Sequence, residues 1–294
     1  MKSNQDTGMS LNWKEELLVN AEQEILKLTD SDRFKIYLET LTKFHQYSLR
    51  NINLIYFQNP RATQVAGFKQ WQKLFNRSVK KGEKAIKITA PITNKLTTED
   101  QKRLHITDDY LVIGYRYISV FDICQTIGEP VINTKNFVKD RLQSHDDVTN
   151  FYQAFKSYLN QETILNVFEK DMNTLVRGYF TPQTNEIVIN CHERDSAFKL
   201  KTLYHEYAHS QLHGEKAKFK NRPRAYQEAQ AEAIAYVAMK NLGIDTGDYS
   251  LGYVATWAKK KETIHSALHE IQKISHHVIE MTDHLTSELN LQSK

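Results

Sequence analysis

A chain of 294 residues, 40% of them hydrophobic and 25% charged with only five prolines, is longer than one typical domain of about 100–200 residues, so two compact units with ordinary cores are expected. No window approaches the roughly 20 apolar residues that a membrane span needs, and MKSNQDTGMSLNWKEELL lacks the apolar run and small-residue cleavage site of a secretory signal, so a cytoplasmic protein is expected. The net charge of +4 does not by itself mark a nucleic-acid binder, and Cys124 and Cys191, far apart and outside any CxxC, predict two buried free thiols rather than a disulfide or cysteine-metal framework.

In chain order, Leu17, Leu18, Ala21, Ile25 and Leu26 recur at helical spacing, Ser31 can cap a second helix running towards Lys43, and LRNINLIYFQ makes a third. Pro60 in QNPRA breaks the pattern, and GFKQWQKLF starts another short helix. From Arg61 to Lys87 the chain carries eight cations, Arg61, Lys69, Lys73, Arg77, Lys80, Lys81, Lys84 and Lys87, against the single acid Glu83. Phe68, Trp71 and Phe75 are interleaved with them. Cations for phosphates beside aromatic faces for bases are how single strands are held without sequence preference. Trp71 and Phe75, four apart, read equally as the core face of a helix.

After the turn KKGEK, the runs AIKITAPI and YLVIGYRYISVFDI alternate as strands, with residues 94–109 between them as an exposed connection. Gly128 and Pro130 interrupt regular structure, and a domain boundary is placed near residue 135. A helix over 146–160 precedes RGYFTPQTNEIVIN, which reads as a hairpin turning at Pro-Gln-Thr-Asn. Helices over 195–213, 224–241, near 250–260 and from Glu262 to about Asn290 complete the chain.

The chemistry concentrates in TLYHEYAHSQLHG. Residues four apart share a helix face, so His205 and His209 can present two imidazoles to one ion with Glu206 beside them, the spacing of a zinc hydrolase. A catalytic zinc takes three protein ligands and leaves a position open for water. The next helix offers Glu228 and Glu232, again four apart, for the third. The alternative is a polar helix face, against which stand the apolar run LKTLY before the motif and the acid-bearing helix after it. His213 lies one turn beyond His209 and reads as a supporting or merely polar group. His265, His269, His276 and His277 read as a solvated face.

TLYHEYAHSQLHG followed by EAQAEAIAYV and GIDTGDYSLGYVATW resembles the ImmA/IrrE group of zinc metallopeptidases, in the variant carried by ArdC-like antirestriction proteins of mobile elements such as plasmids. FHQYSLRNINLIYFQNPRATQVAGFKQW, VKKGEKAIKITAP and ISVFDICQT resemble the N-terminal single-stranded-DNA-binding domain of the same proteins. The resemblance implies an α+β chain: residues 1–135 a single-stranded-DNA-binding α/β domain, residues 136–294 a mainly helical zincin-like domain with a small sheet. It implies Zn2+ on His205, His209 and a glutamate. Glu228 is favoured as ligand, with Glu232 as its alternate or as the partner of a ligand histidine, and Glu206 as general base. It makes Ser48, Asn51, Asn53, Gln58 and Trp71 candidate contacts to single-stranded DNA and Lys80, Lys81 and Lys84 candidate phosphate contacts. Tyr249 or Tyr253 is a candidate oxyanion donor. The expected partners are single-stranded DNA and a protein substrate that the sequence does not name. The alternative is a non-catalytic DNA-coating protein whose zinc is structural or vestigial.

Overall fold

The computed structural model describes residues 6–28, 31–131, 145–172, 176–217, 219–244 and 261–292. The chain forms two compact units, Met1–Glu22 with Arg50–Val131, and Gln23–Leu49 with Ile132–Lys294. Helices and small sheets occur in both, an α+β architecture as expected. No helix among the described residues is long and apolar enough to cross a membrane.

The first unit contains α1 (Asp6–Leu26) up to Glu22, α3 (Leu49–Gln58) from Arg50, and the short α4 (Phe68–Phe75). Its antiparallel sheet has the order β1-β4-β3, with β1 Val65–Gly67, β3 Ile86–Lys95 and β4 Tyr110–Asp122. A two-stranded ribbon pairs β2 (Arg77–Val79) with β5 (Thr126–Gly128). Ile52, Leu54, Ile55, Trp71, Ile86, Ile88 and Val120 are buried. Asp122 is buried at the end of β4 and its carboxylate accepts the N–H groups of Thr63, Gln64 and Cys124 at 2.6, 3.0 and 3.0 Å. The expected connection over residues 94–109 contains a helix, α5 (Thr98–Leu104). Thr97 caps it by accepting the Asp100 N–H while Asp100 Oδ2 accepts from Thr97, the reciprocal box that TTED encodes.

In the second unit, α2 (Ser31–Lys43) buries Phe34, Tyr37, Leu38 and Leu41. Gln23–Leu49, assigned to the first domain from the sequence, group by their contacts with the C-terminal residues. α6 (His145–Glu162) is followed by a sheet of order β6-β8-β7, with β6 Asn166–Lys170, β7 Gly178–Thr181 and β8 Glu186–Asn190. β7 and β8 form the expected antiparallel hairpin, turning at Asn185 in the left-handed region (φ 54°). The parallel strand β6 is an addition to the expected elements. Three helices follow: α7 (Ser196–His213), α8 (Arg224–Asn241) and α9 (Lys261–Gln292). α8 is lined with Ala229, Ala231, Ala233, Ala235 and Ala238, all buried. These small side chains let it lie close to α7, α2 and α9. The helix expected near 250–260 lies outside the described residues.

Cys124 and Cys191 are free but exposed, which corrects the expectation of buried thiols. Cys124 remains a poor nucleophile, because its hydrogen bond to Asp122 pushes the thiol up to about 11.

Candidate metal centre

Leu200, Leu203, Tyr204, Tyr207 and Ala208 bury one side of α7, which fixes its rotation and turns His205 and His209 towards α8. Glu228 lies on the facing side of α8, in its first half. The three groups converge. His205 Nε2 is 3.1 Å from His209 Nε2 and 3.2 Å from Glu228 Oε2, and His209 Nε2 is 3.6 Å from the same oxygen. Bonds of about 2.0–2.1 Å to a tetrahedral ion put adjacent ligand atoms about 3.3–3.4 Å apart. The triangle has that size, so these residues fit a divalent metal ion.

The atoms behind the triangle give the histidines the tautomers a metal requires. Glu232 Oε2 lies 3.3 Å from His205 Nδ1 and accepts its proton, and Glu232 Oε1 is held at 2.7 Å by Lys201 Nζ. His205 therefore offers a lone pair at Nε2. On the other side a relay runs inward. Gln230 donates to the Ala267 carbonyl of α9 at 3.4 Å, its Oε1 accepts from His213 Nε2 at 3.2 Å, and His213 Nδ1 accepts from His209 Nδ1 at 3.0 Å. His209 Nε2 is thereby also left as a lone pair. Burial and the neighbouring His209 push His213 down to about 4, which keeps it neutral as the relay needs.

Electrostatics agree with a site built for a cation. Burial opposes a charged His205, but its contacts with Glu228 and Glu232 outweigh burial and push it up to about 9, so without an ion a proton holds Nε2, and a metal would take that proton's place. Hydrogen bonds with His205 and His209 hold Glu228 well below the usual carboxylate range. Glu232 is also held low, its burial being outweighed by His205 and Lys201. Glu206 behaves oppositely. It is 8% exposed, and burial raises its carboxyl above the ordinary value despite the neighbouring histidines and a hydrogen bond with the Phe180 backbone.

The centre opens into a cleft of about 620 Å³ whose other wall is the edge strand β7. Gly178 permits the closeness of that wall: a Cβ there would meet the Thr202 methyl at 2.7 Å and the Val188 carbonyl at 2.9 Å. Lys201, Gln230 and Arg224, whose Nε lies 3.3 Å from Glu228 Oε1, are site residues that the sequence reading missed. Lys201 had a signal, since it stands one turn before His205 on the same helix face. Tyr249 and Tyr253 lie outside the described residues.

Residues 20–121 match the N-terminal domain of anti-restriction factor ArdC, and residues 160–245 match the IrrE N-terminal-like domain of the M78 peptidases. In the order and content of these two domains the chain is similar to ArdC-like antirestriction proteins. Among solved structures, the metal-free antirestriction protein ArdC of plasmid R388 is 19% identical with a TM-score of 0.50, covering 80% of this chain and 85% of that one, a likeness of fold. An uncharacterized Bacillus anthracis protein, pXO2-81, is 24% identical over 267 residues, covering 80% of this chain. The match takes in only 44% of that relative, so the chain spans less than half its length.

The ArdC-like N-terminal unit places the expected DNA contacts unevenly. Lys81 and Lys84 are exposed beside the left-handed Gly82, and Lys80, also exposed, donates to the Cys124 carbonyl at 2.8 Å. Ser48, which falls in the second unit, is exposed just before α3, whereas Asn53 is buried. Three expectations are corrected. Trp71 is 0% exposed and its indole N–H donates to the Phe121 carbonyl at 2.8 Å, so it is core and offers no face to a base. Asn51 accepts the Thr89 N–H at 2.9 Å and donates to the Thr89 carbonyl at 2.8 Å. Gln58 does the same for Lys87 at 2.8 and 2.9 Å. Both amides stand in for a neighbouring strand and close the free edge of β3.

Proposed function

We propose that the C-terminal unit of this ArdC-like protein is a zinc-dependent peptidase and that the N-terminal unit binds single-stranded DNA, the two serving a mobile element whose incoming DNA must survive host restriction. The observation that carries the peptidase reading is the triangle of His205 Nε2, His209 Nε2 and Glu228 Oε2, each with its lone pair aimed inward. When bound, zinc supplies a water of lowered pKa and polarises a carbonyl. The chain's own residues do the rest. Glu232 and the His213–Gln230 relay hold the two imidazoles in orientation. Glu206, next to the ligands and raised by burial, is the base that takes the water's proton, since a carboxylate nearer neutrality accepts and returns a proton more readily. The edge of β7 along the cleft can receive an extended peptide as an added strand.

The test combines metal analysis and proteolysis on one preparation of the full chain. Wild type is expected to hold about one zinc per chain, and Glu206→Gln to keep the zinc while losing cleavage of a peptide library presented with single-stranded DNA. Antirestriction that survives Glu206→Gln undiminished would assign the function to DNA coating alone. A wild-type chain that takes up no divalent metal would sink the peptidase reading.

A further inference from the structure

With Trp71 in the core, the base-stacking surface of the N-terminal unit has to lie elsewhere, and the β3–β4 ladder carries one. Residues directly opposite in a ladder share a face, and successive pairs alternate between faces. Starting from Lys87↔Ser119, one face receives Thr89 and Tyr117, Pro91 and Tyr115, Thr93 and Val112, and Lys95 and Tyr110. The register shifts between Ile92 and Thr93, leaving Ile113 as an extra residue. That bulge decides the matter. Tyr110 and Tyr115 are five positions apart and in an unbroken strand would point to opposite faces, whereas the extra residue returns Tyr110 to the side of Tyr115.

The outcome is a face with three tyrosines, two lysines and three hydroxyl residues, and no acid at any of its positions. Tyr110 is 56% and Tyr115 63% exposed, far more than rings spent on a core. The opposite face begins with the buried pair Ile86 and Val120, and Ile88 follows. At the base of the tyrosine face, α1 lays Trp13 against Tyr117 with ring centroids 5.3 Å apart. Lys87 donates to the Ser119 hydroxyl at 2.7 Å and borders a cavity of about 530 Å³ lined also by Trp13, Glu16, Leu17 and Asn20. Of the acids near the tip, Asp100 is engaged by Thr97 and Arg103 and Asp109 by Gln101, while Glu99 and Asp108 are exposed off the ladder face. Same-face neighbours on a strand are about 6.6–6.8 Å apart, a step comparable to that between bases of an extended single strand.

Two lysines on a ladder face that itself carries no acid, with Glu16 of α1 only at its base, favour a polyanion, and flat exposed rings select bases freed from a duplex. Resting on the reading that this unit binds single strands, we propose that the Tyr110, Tyr115 and Tyr117 face of β3–β4, flanked by Lys87 and Lys95, is its base-stacking platform. The bulge at Ile113 is the device that aligns the rings. Duplex DNA, its bases stacked inside, binds this face only through phosphates.

Fluorescence anisotropy of the full chain with a labelled oligothymidylate of about 20 nucleotides tests this. Replacing Tyr110 and Tyr115 together by Ala is expected to weaken binding at least roughly tenfold, while the Tyr→Phe pair keeps it, because stacking needs the ring and not the hydroxyl. Lys95→Ala should lower the log–log salt slope by about 0.7. Both rings are exposed, so thermal stability should not move. Photo-crosslinking of the unmodified chain to an iodouracil-substituted strand gives a readout independent of any variant, with adducts expected on Tyr110, Tyr115 or Tyr117. Unchanged affinity in the double Ala variant together with adducts elsewhere overturns the platform and leaves single-strand binding standing. Loss of self-association in place of oligonucleotide affinity would assign the face to a second copy of the chain and also overturn it. A wild-type chain with no affinity for the oligonucleotide removes both proposals.

Discussion

The helix pair α7–α8 and the β3–β4 ladder use polar side chains under opposite constraints. Between the helices, His205, His209, Glu228, Glu232, Lys201, His213 and Gln230 lie within one continuous set of contacts, and partners on α7, α8 and α9 fix the orientations of both imidazoles. Beside the ladder, the most chemically suggestive polar residues, Asn51 and Gln58 of α3, are spent on closing the edge of β3, and the rings left for a partner come from residues outside the basic stretch. A site that must hold an ion within tenths of an ångström needs orientation from behind. A surface that must hold a flexible strand needs only repeated flat faces and charge.

The largest expected effect breaks the helix side outright. His205→Ala or Glu228→Ala should leave the purified protein without metal by elemental analysis, because two of three ligands cannot hold a catalytic ion. If Glu228→Ala retains full zinc while Glu232→Ala loses it, the two glutamates exchange the roles assigned here. On the other side, Trp71→Ala should destabilise the N-terminal unit by about 3–5 kcal/mol, the cost of emptying a large aromatic site in a core. Calorimetry checks this. If the variant melts like wild type and only DNA affinity falls, the ring reaches solvent and the core assignment is wrong.

Against these, the legibility of each region in the sequence becomes plain. His205, Glu206 and His209 could be read because the contact between them is local, set by the 3.6-residue turn, and Glu228 and Glu232 because the same turn repeats on the following helix. Gln230 was invisible, since its role depends on the Ala267 carbonyl 37 positions away. Trp71 was read two ways because both a helix core and a stacking site want an aromatic at that spacing. The tyrosine face could not be read at all. Its composition depends on which strands pair, in which register, and on one bulge, none of which a local period encodes. The TTED cap of α5, by contrast, was legible and overlooked within a polar stretch.

Intermediate effects sharpen the comparison. Glu232→Ala should weaken metal binding by roughly 10–100-fold while leaving the fold intact, the usual loss when the partner of a ligand histidine is removed. Competition with a chelator measures it, and an unchanged affinity would mean that Lys201 and Glu232 serve only packing. The matching residue in the first unit is Asp122. Burial raises its carboxyl, but the hydrogen bonds from Cys124, Thr63 and Gln64 outweigh burial and hold it below the ordinary value. A carboxyl depressed on folding contributes stability above its unfolded pKa of about 3.9 and loses it as pH falls through the folded value. Asp122→Asn should therefore cost about 1–3 kcal/mol at neutral pH and shrink the difference from wild type in strong acid. A constant difference across that range would mean that the charge of Asp122 plays no part.

The smallest expected effect concerns Lys80, Lys81 and Lys84, the cations of the turn between β2 and β3. Each is exposed, so their replacement by Ala removes no core, and only the Lys80 contact with the Cys124 carbonyl is lost. If all three meet phosphates, each releases counterions on binding, and the slope of log affinity against log salt should fall by up to about 2, at roughly 0.7 per single-strand contact. Affinity at high salt should change little, because the stacking contribution of the tyrosine face does not depend on ions. That combination separates charge from stacking within one unit. If the slope is unchanged and affinity falls equally at every salt concentration, the turn acts by holding β3 in place, and phosphate contact passes to Lys87 and Lys95 on the ladder.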